Sequence, residues 1–229
     1  MQTRPLRVFV SSTARDLAEY RLTAQRVVRQ LEWEPVLLME DEAVFGGRIV
    51  DECLRLVESC DVFVSIIGNR HGWVPEPSQG GDGVHSITAL ELAFWLRRTQ
   101  MDAASPPPLV FMLRDNRPCH ATANATAQSL AQERFRKTVA SGLIVHEFEA
   151  PGVGDSGHEA AIASFESRLR NQLGKLRVRI ADQVAMHATV AAWSAKQAAR
   201  KEATKALLTG GALGALAAVI ITGLSNADE

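Results

Sequence analysis

The chain has 229 residues, 46% hydrophobic and 22% charged, a composition that buries a core and excludes wholesale disorder. Its formal net charge of −1 excludes an overall basic field of the kind that holds a nucleic acid, so no nucleic-acid partner is expected. Three cysteines, Cys53, Cys60 and Cys119, are too few and too scattered for a disulfide framework or a zinc site; no metal and no resident cofactor is expected.

Arg7–Ser11 (RVFVS) is a short apolar, β-branched run with the profile of a buried strand. Met1–Arg7 leads straight into it, and no signal peptide is expected. Ser12 or Thr13 then caps a helix, with Asp16 three residues beyond Thr13 as a near capping box. That helix runs to about Leu31, with Leu17, Tyr20, Ala24, Val27, Val28 and Leu31 on one face. Pro35–Met39 predicts a second strand, and Ile49–Glu58 a second helix turned inward at Ile49, Cys53, Leu56 and Val57. Asp61–Gly68 (DVFVSIIG) is the strongest strand of the chain, and an irregular stretch with four Gly and two Pro follows it from Asn69 to His85. Ser86 or Thr88 starts a third helix through about Met101. Pro108–Leu113 is a fourth strand, 126–140 a helix, Leu143–Phe148 a fifth strand, and 158–174 a further helix.

Charge divides the chain into an α/β domain over 1–174 (net −4), a basic helical stalk over 175–205 (net +5) and an uncharged segment over 206–224. Residues 177–205 hold no Pro or Gly and read as one long helix. Val184, His187, Val190 and Trp193 recur on one face of it, which either packs on its own domain or joins copies of the chain as a coiled stalk. As a helix the 19 uncharged residues span roughly 28 Å, near the ~30 Å hydrocarbon core of a bilayer. The bases all precede them, so a single-pass C-terminal anchor with the N-terminal domain cytoplasmic is expected. A soluble helix packed on a partner is the alternative. Gly210 and Gly214, with Ala218, form a small-residue stripe that lets helices approach closely in lipid and also arises by chance in an Ala/Gly-rich run.

Alternating strands and helices imply an α/β fold: a five-stranded parallel sheet in flavodoxin-like order 2-1-3-4-5, helices on both faces, then the long helix and the C-terminal membrane helix. Ligands of such sheets sit outside the carboxyl ends of strands 1 and 3. Ser11, Ser12 and Thr13 end strand 1 and offer hydroxyls to an anion, or simply a cap. Arg70 follows strand 3 and is placed to clamp a diphosphate or to pair with an acid of the same rim; His71 is a titratable group or a hydrogen-bonded loop residue. Ser86, at the start of the third helix, joins the ligand-binding set. Glu91, in the first or second turn of that helix and flanked by Leu90, Leu92 and Ala93, is the candidate catalytic carboxylate. A cap or helix-dipole role is its alternative.

Four blocks resemble the DUF4062 family: VFVSST-x-x-DL-x-x-x-R (Val8–Arg21), Glu40, SCDVFVSIIGNRHGW (Ser59–Trp73) and S-x-T-x-x-E (Ser86–Glu91), with His71 where Tyr is usual. DUF4062 is similar in fold to TIR domains and, more distantly, to nucleoside deoxyribosyltransferases, whose glutamate after strand 3 acts on a ribosyl carbon; Glu91 occupies the equivalent place. The resemblance implies N-glycosidic cleavage with NAD as substrate rather than cofactor, Ser11 and Arg70 binding ribose or diphosphate. With the tail, it implies a membrane-anchored, homo-oligomeric effector activated by assembly, of the kind common in prokaryotic antiviral defence. The alternative is a non-catalytic nucleotide-sensing or oligomerisation module whose output is signalling or membrane disruption by 206–224.

Overall fold

The β-branched and aromatic runs of the sequence take the centre of one sheet. The computed structural model describes residues 4–37, 49–114, 127–150 and 155–225, with backbone alone at 155–156 and 206–225. Its elements in chain order are β1 (Arg7–Ser12), α1 (Ala18–Gln30), β2 (Glu34–Val36), α2 (Ile49–Glu58), β3 (Val62–Ile67), α3 (Ile87–Met101), β4 (Leu109–Arg114), α4 (Ala127–Gly142), β5 (Val145–Glu149) and α5 (Asp155–Ser225), with a 3-10 turn at Pro77–Gln79. The strands lie in the order β2-β1-β3-β4-β5, and every pairing is parallel. This is the expected doubly wound order. Strand β3 is buried at all six positions, which is why it reads as an unbroken apolar run.

The register places Phe9 beside Phe63 and Ser11 beside Ser65. Phe9 stacks on Phe63 at 5.7 Å and Phe63 on the α3 indole of Trp95 at 5.4 Å, in a cluster with Val57, Leu92 and Val139 from α2, α3 and α4. A second aromatic cluster joins Tyr20 of α1, Phe111 and Phe148 of the sheet, and Phe165 of α5, with ring centroids 4.7–5.4 Å apart. Together they bury both faces of the sheet. Arg98 fastens α3 by donating to the carbonyls of Glu58 and Cys60, both at 2.8 Å, while its guanidinium lies 4.8 Å from the Trp95 ring.

Most boundaries fall within two residues of expectation, and three features differ by more. Helix α1 starts at Ala18, with Leu17 at the N-cap and no side-chain cap. Neither Ser12 nor Thr13 caps it: Ser12 still pairs with Ile66 in the sheet, and Thr13 donates its hydroxyl to Asp16 within the intervening turn. The two polar side chains satisfy each other rather than the helix. The predicted second strand shortens to Glu34–Val36, and its end at 38–39, with Glu40 and Cys119, lies outside the described residues. The helices predicted over 158–174 and 177–205 are one, with Gly174 inside α5.

The chain divides into two compact units, Met1–Leu176 and Arg177–Glu229. In the first, Phe165, Leu169, Leu173 and Leu176 of α5 are buried at helical spacing. In the second, Val184, Met186, Val190 and Trp193 are exposed. The backbone stays helical through 206–225. Among the residues whose side chains are described no helix is long and apolar enough to cross a membrane; the predicted membrane segment, 206–224, lies outside that set.

Candidate functional site

Strand β1 delivers Ser11 to the α3 side of the sheet, two residues beyond the Phe9 that packs there. Ser86 caps α3, its hydroxyl accepting from the Ala89 N–H at 3.4 Å, and this start sets Glu91 in the second turn. The two meet: the Ser11 hydroxyl donates to Glu91 Oε2 at 2.6 Å. Glu91 is 3% exposed and Ser11 2%. Burial pushes the Glu91 carboxyl up to about 7, against the opposing pull of the Ser11 hydroxyl and the positive charge of Arg21. Arg21, itself buried, donates to the Ser12 carbonyl at 2.8 Å and lies 3.4 Å from its hydroxyl. Ser65, the register partner of Ser11, keeps a buried hydroxyl without a hydrogen-bond partner among the described residues.

The other expected residues gather a little further out. Thr13, Arg70 and Ser86 share a cavity of about 10 Å³ with His71, Thr88 and Gln132, room for about one water. Thr13 and Arg70 also line an open cleft of about 280 Å³ with Arg15, Gly72, Trp73 and Gln128. Arg15 and Arg70 are exposed, and neither guanidinium has a partner among the described residues. Arg70 therefore forms no structural ion pair there. His71 proves to be the hydrogen-bonded loop residue, 3.4 Å from Gln132 Oε1 and 3.3 Å from the Val84 carbonyl.

The expected set thus divides in two. Ser11, Ser12 and Glu91 form a buried polar knot that lines neither cavity, and Thr13, Arg70 and Ser86 line open space. Sequence reasoning missed Arg21, which ends the first resemblance block, and it missed Arg15, Trp73 and Gln128. It also missed Gln132 and Arg136 of α4, which donate to the Gly68 carbonyl at 2.8 and 3.0 Å and close the end of β3. The i, i+4 spacing of that pair is its only local signal.

Cys53 and Cys60 are free, and burial raises their thiols to about 12 and about 11, so neither is a nucleophile at neutral pH. Among the described residues no three His, Cys, Asp or Glu side chains converge as metal ligands.

Residues 7–155 match the model of a family described as Domain of unknown function (DUF4062), well over half the chain. The chain belongs to the DUF4062 family. The DUF4062 region spans β1 to the first residue of α5, and so holds the Ser11–Glu91 pair and every residue of both cavities. The rest of α5, from Ser156 on, is not part of it. Chemically, the candidate site of this DUF4062 domain pairs a buried carboxyl raised to about 7 with a concave surface lined by two arginines that have no partner among the described residues.

Proposed function

We propose that this domain is a TIR-like module that binds NAD or a related nucleotide outside the carboxyl ends of β1 and β3 and cleaves its N-glycosidic bond. The observation that carries the reading is the Ser11–Glu91 pair, a carboxyl raised to about 7 at the switch point of the sheet, where such folds bind ligands. In the reaction the ribosyl C1′–N bond breaks with its electron pair leaving on nicotinamide, which needs no proton to depart. Ionised Glu91 stabilises the oxocarbenium ion, and a water adds at C1′ through its oxygen and releases its proton to solvent, giving ADP-ribose, nicotinamide and a proton. Only the ionised form serves, so activity rises with pH through about 7.

With the residue only 3% exposed, the Glu91 carboxyl must be uncovered before a sugar reaches it. Assembly of several copies supplies that step in this reading, with the chain held at the inner face of a membrane by 206–224. A place in prokaryotic defence follows only by analogy with other tailed effectors.

The same burial favours a second reading: Glu91 is a structural acceptor for Ser11, and the domain is a non-catalytic nucleotide sensor whose output passes through the C-terminal helix. One experiment separates them. Detergent-purified full chain, concentrated to promote assembly, is incubated with NAD and the products are resolved by chromatography. Nicotinamide release by the parent and none by Glu91→Gln supports the enzyme. Equal release by both removes Glu91, and release by neither leaves the sensor.

A further inference from the structure

We propose that the open cleft of about 280 Å³ beside β1 and β3 is a binding site for the diphosphate of a nucleotide, with Arg15 and Arg70 gripping the phosphates and Trp73 offering a ring face to the sugar or base. The choice of a nucleotide rests on the reading above; the site itself does not depend on catalysis by Glu91.

Arg15 and Arg70 line one concavity, no acid lines it with them, and neither has a partner among the described residues. Asp16, the acid next to Arg15, is taken up by the Thr13 hydroxyl. Like charges that share a cleft repel, and an anion placed between them turns that cost into attraction. Arginine forks match phosphate oxygens in pairs, and Thr13 and Gln128 add further hydrogen-bonding groups on the same walls.

The walls are held in place before any ligand arrives. Trp73 packs on Val50, Cys53 and Ile87, and its carbonyl accepts from the Ile87 N–H at 2.9 Å. Gly72, at φ 80°, lets the β3 loop run against Thr13: a Cβ there would stand 2.9 Å from the threonine methyl. A rigid aromatic wall beside fixed loops lowers the ordering cost of binding. The volume lies just below the ~300–1,000 Å³ typical of ligand pockets, enough for a diphosphate and one ring rather than a whole dinucleotide.

The test is calorimetric titration of the full chain in detergent with ADP-ribose, adenosine and pyrophosphate. ADP-ribose is expected to bind, adenosine to give no signal, and pyrophosphate to bind more weakly. Arg15→Ala and Arg70→Ala should each weaken ADP-ribose by about tenfold, the loss of a charged hydrogen-bonding partner. Trp73→Phe, which keeps an apolar ring against α2, should weaken ADP-ribose but not pyrophosphate. Unchanged affinity in the double arginine variant, or no ADP-ribose binding at about 1 mM, overturns the proposal. Pyrophosphate binding as tightly as ADP-ribose overturns its nucleotide part. Because ADP-ribose has already lost nicotinamide, its binding without NAD turnover refutes catalysis alone. NAD turnover that survives loss of both arginines refutes the cleft alone.

Discussion

Burial lifts the Glu91 carboxyl to about 7, whereas a glutamate in the unfolded chain titrates near ~4.3. The native state therefore holds a proton that the unfolded state has lost between those two values, and stability falls as pH rises through that window. The difference is worth about 4 kcal/mol, fully lost above pH ~7. Urea midpoints measured at both ends of the window should fall further in the parent than in Glu91→Gln, which carries no proton to lose; parallel curves would mean a solvated carboxyl. Ser11 donates to the ionised form, so Ser11→Ala should move the titration of Glu91 higher still. The carboxyl stretch followed by infrared spectroscopy against pH reports that shift directly.

Helices and loops reach the site through a few contacts that tolerate little change. Gly72 combines a positive φ with the close approach to Thr13, so Gly72→Ala should cost about 1–2 kcal/mol in chemical denaturation and weaken whatever the neighbouring cleft holds. Trp95 is fully buried between α3 and Phe63, and its indole N–H donates to the Pro106 carbonyl at 3.0 Å. Trp95→Ala leaves both a cavity and an unpaired acceptor, an expected loss of about 3–5 kcal/mol by the same measurement. Most of these elements were legible in advance, because fully buried parallel strands read as continuous apolar runs and α2 carries a clear amphipathic period. The start of α1 was not. Thr13 and Asp16 have the spacing of a cap, but the side chains bond to each other and the helix begins four residues later than a Thr13 cap implies.

Across the whole molecule, the core of the first unit draws Phe165, Leu169, Leu173 and Leu176 from α5, beyond the end of the family match at residue 155. A fragment of residues 1–176 should unfold in one cooperative transition, whereas a fragment ending at 160 exposes Phe111 and Phe148 and should not fold; circular dichroism during heating distinguishes them. The uncharged tail bears on a separate property. If 206–224 anchors the chain, the full protein should stay with membranes through an alkaline carbonate wash, and a version lacking 206–225 should appear in the supernatant. Release of both would remove the anchor while leaving the α/β domain as described.

Local pattern alone determined the five strands, their parallel order and the two loops that flank the ligand edge, since side-chain period and crossover handedness are properties of short stretches and their sequence. It also singled out Ser11, Arg70, Ser86 and Glu91 as residues of that edge. Tertiary structure decided which of them touch. Gln132 lies 64 positions from the Gly68 carbonyl it binds, and Ser11 lies 80 from Glu91. No local period carries such distances; they follow from the way the crossovers lay α3 and α4 over the ends of β1 and β3. Burial of the Glu91 carboxyl, and the meeting of Arg15 with Arg70 and Trp73, arise the same way, because solvent access depends on every element packed around a group and not on its place in the chain.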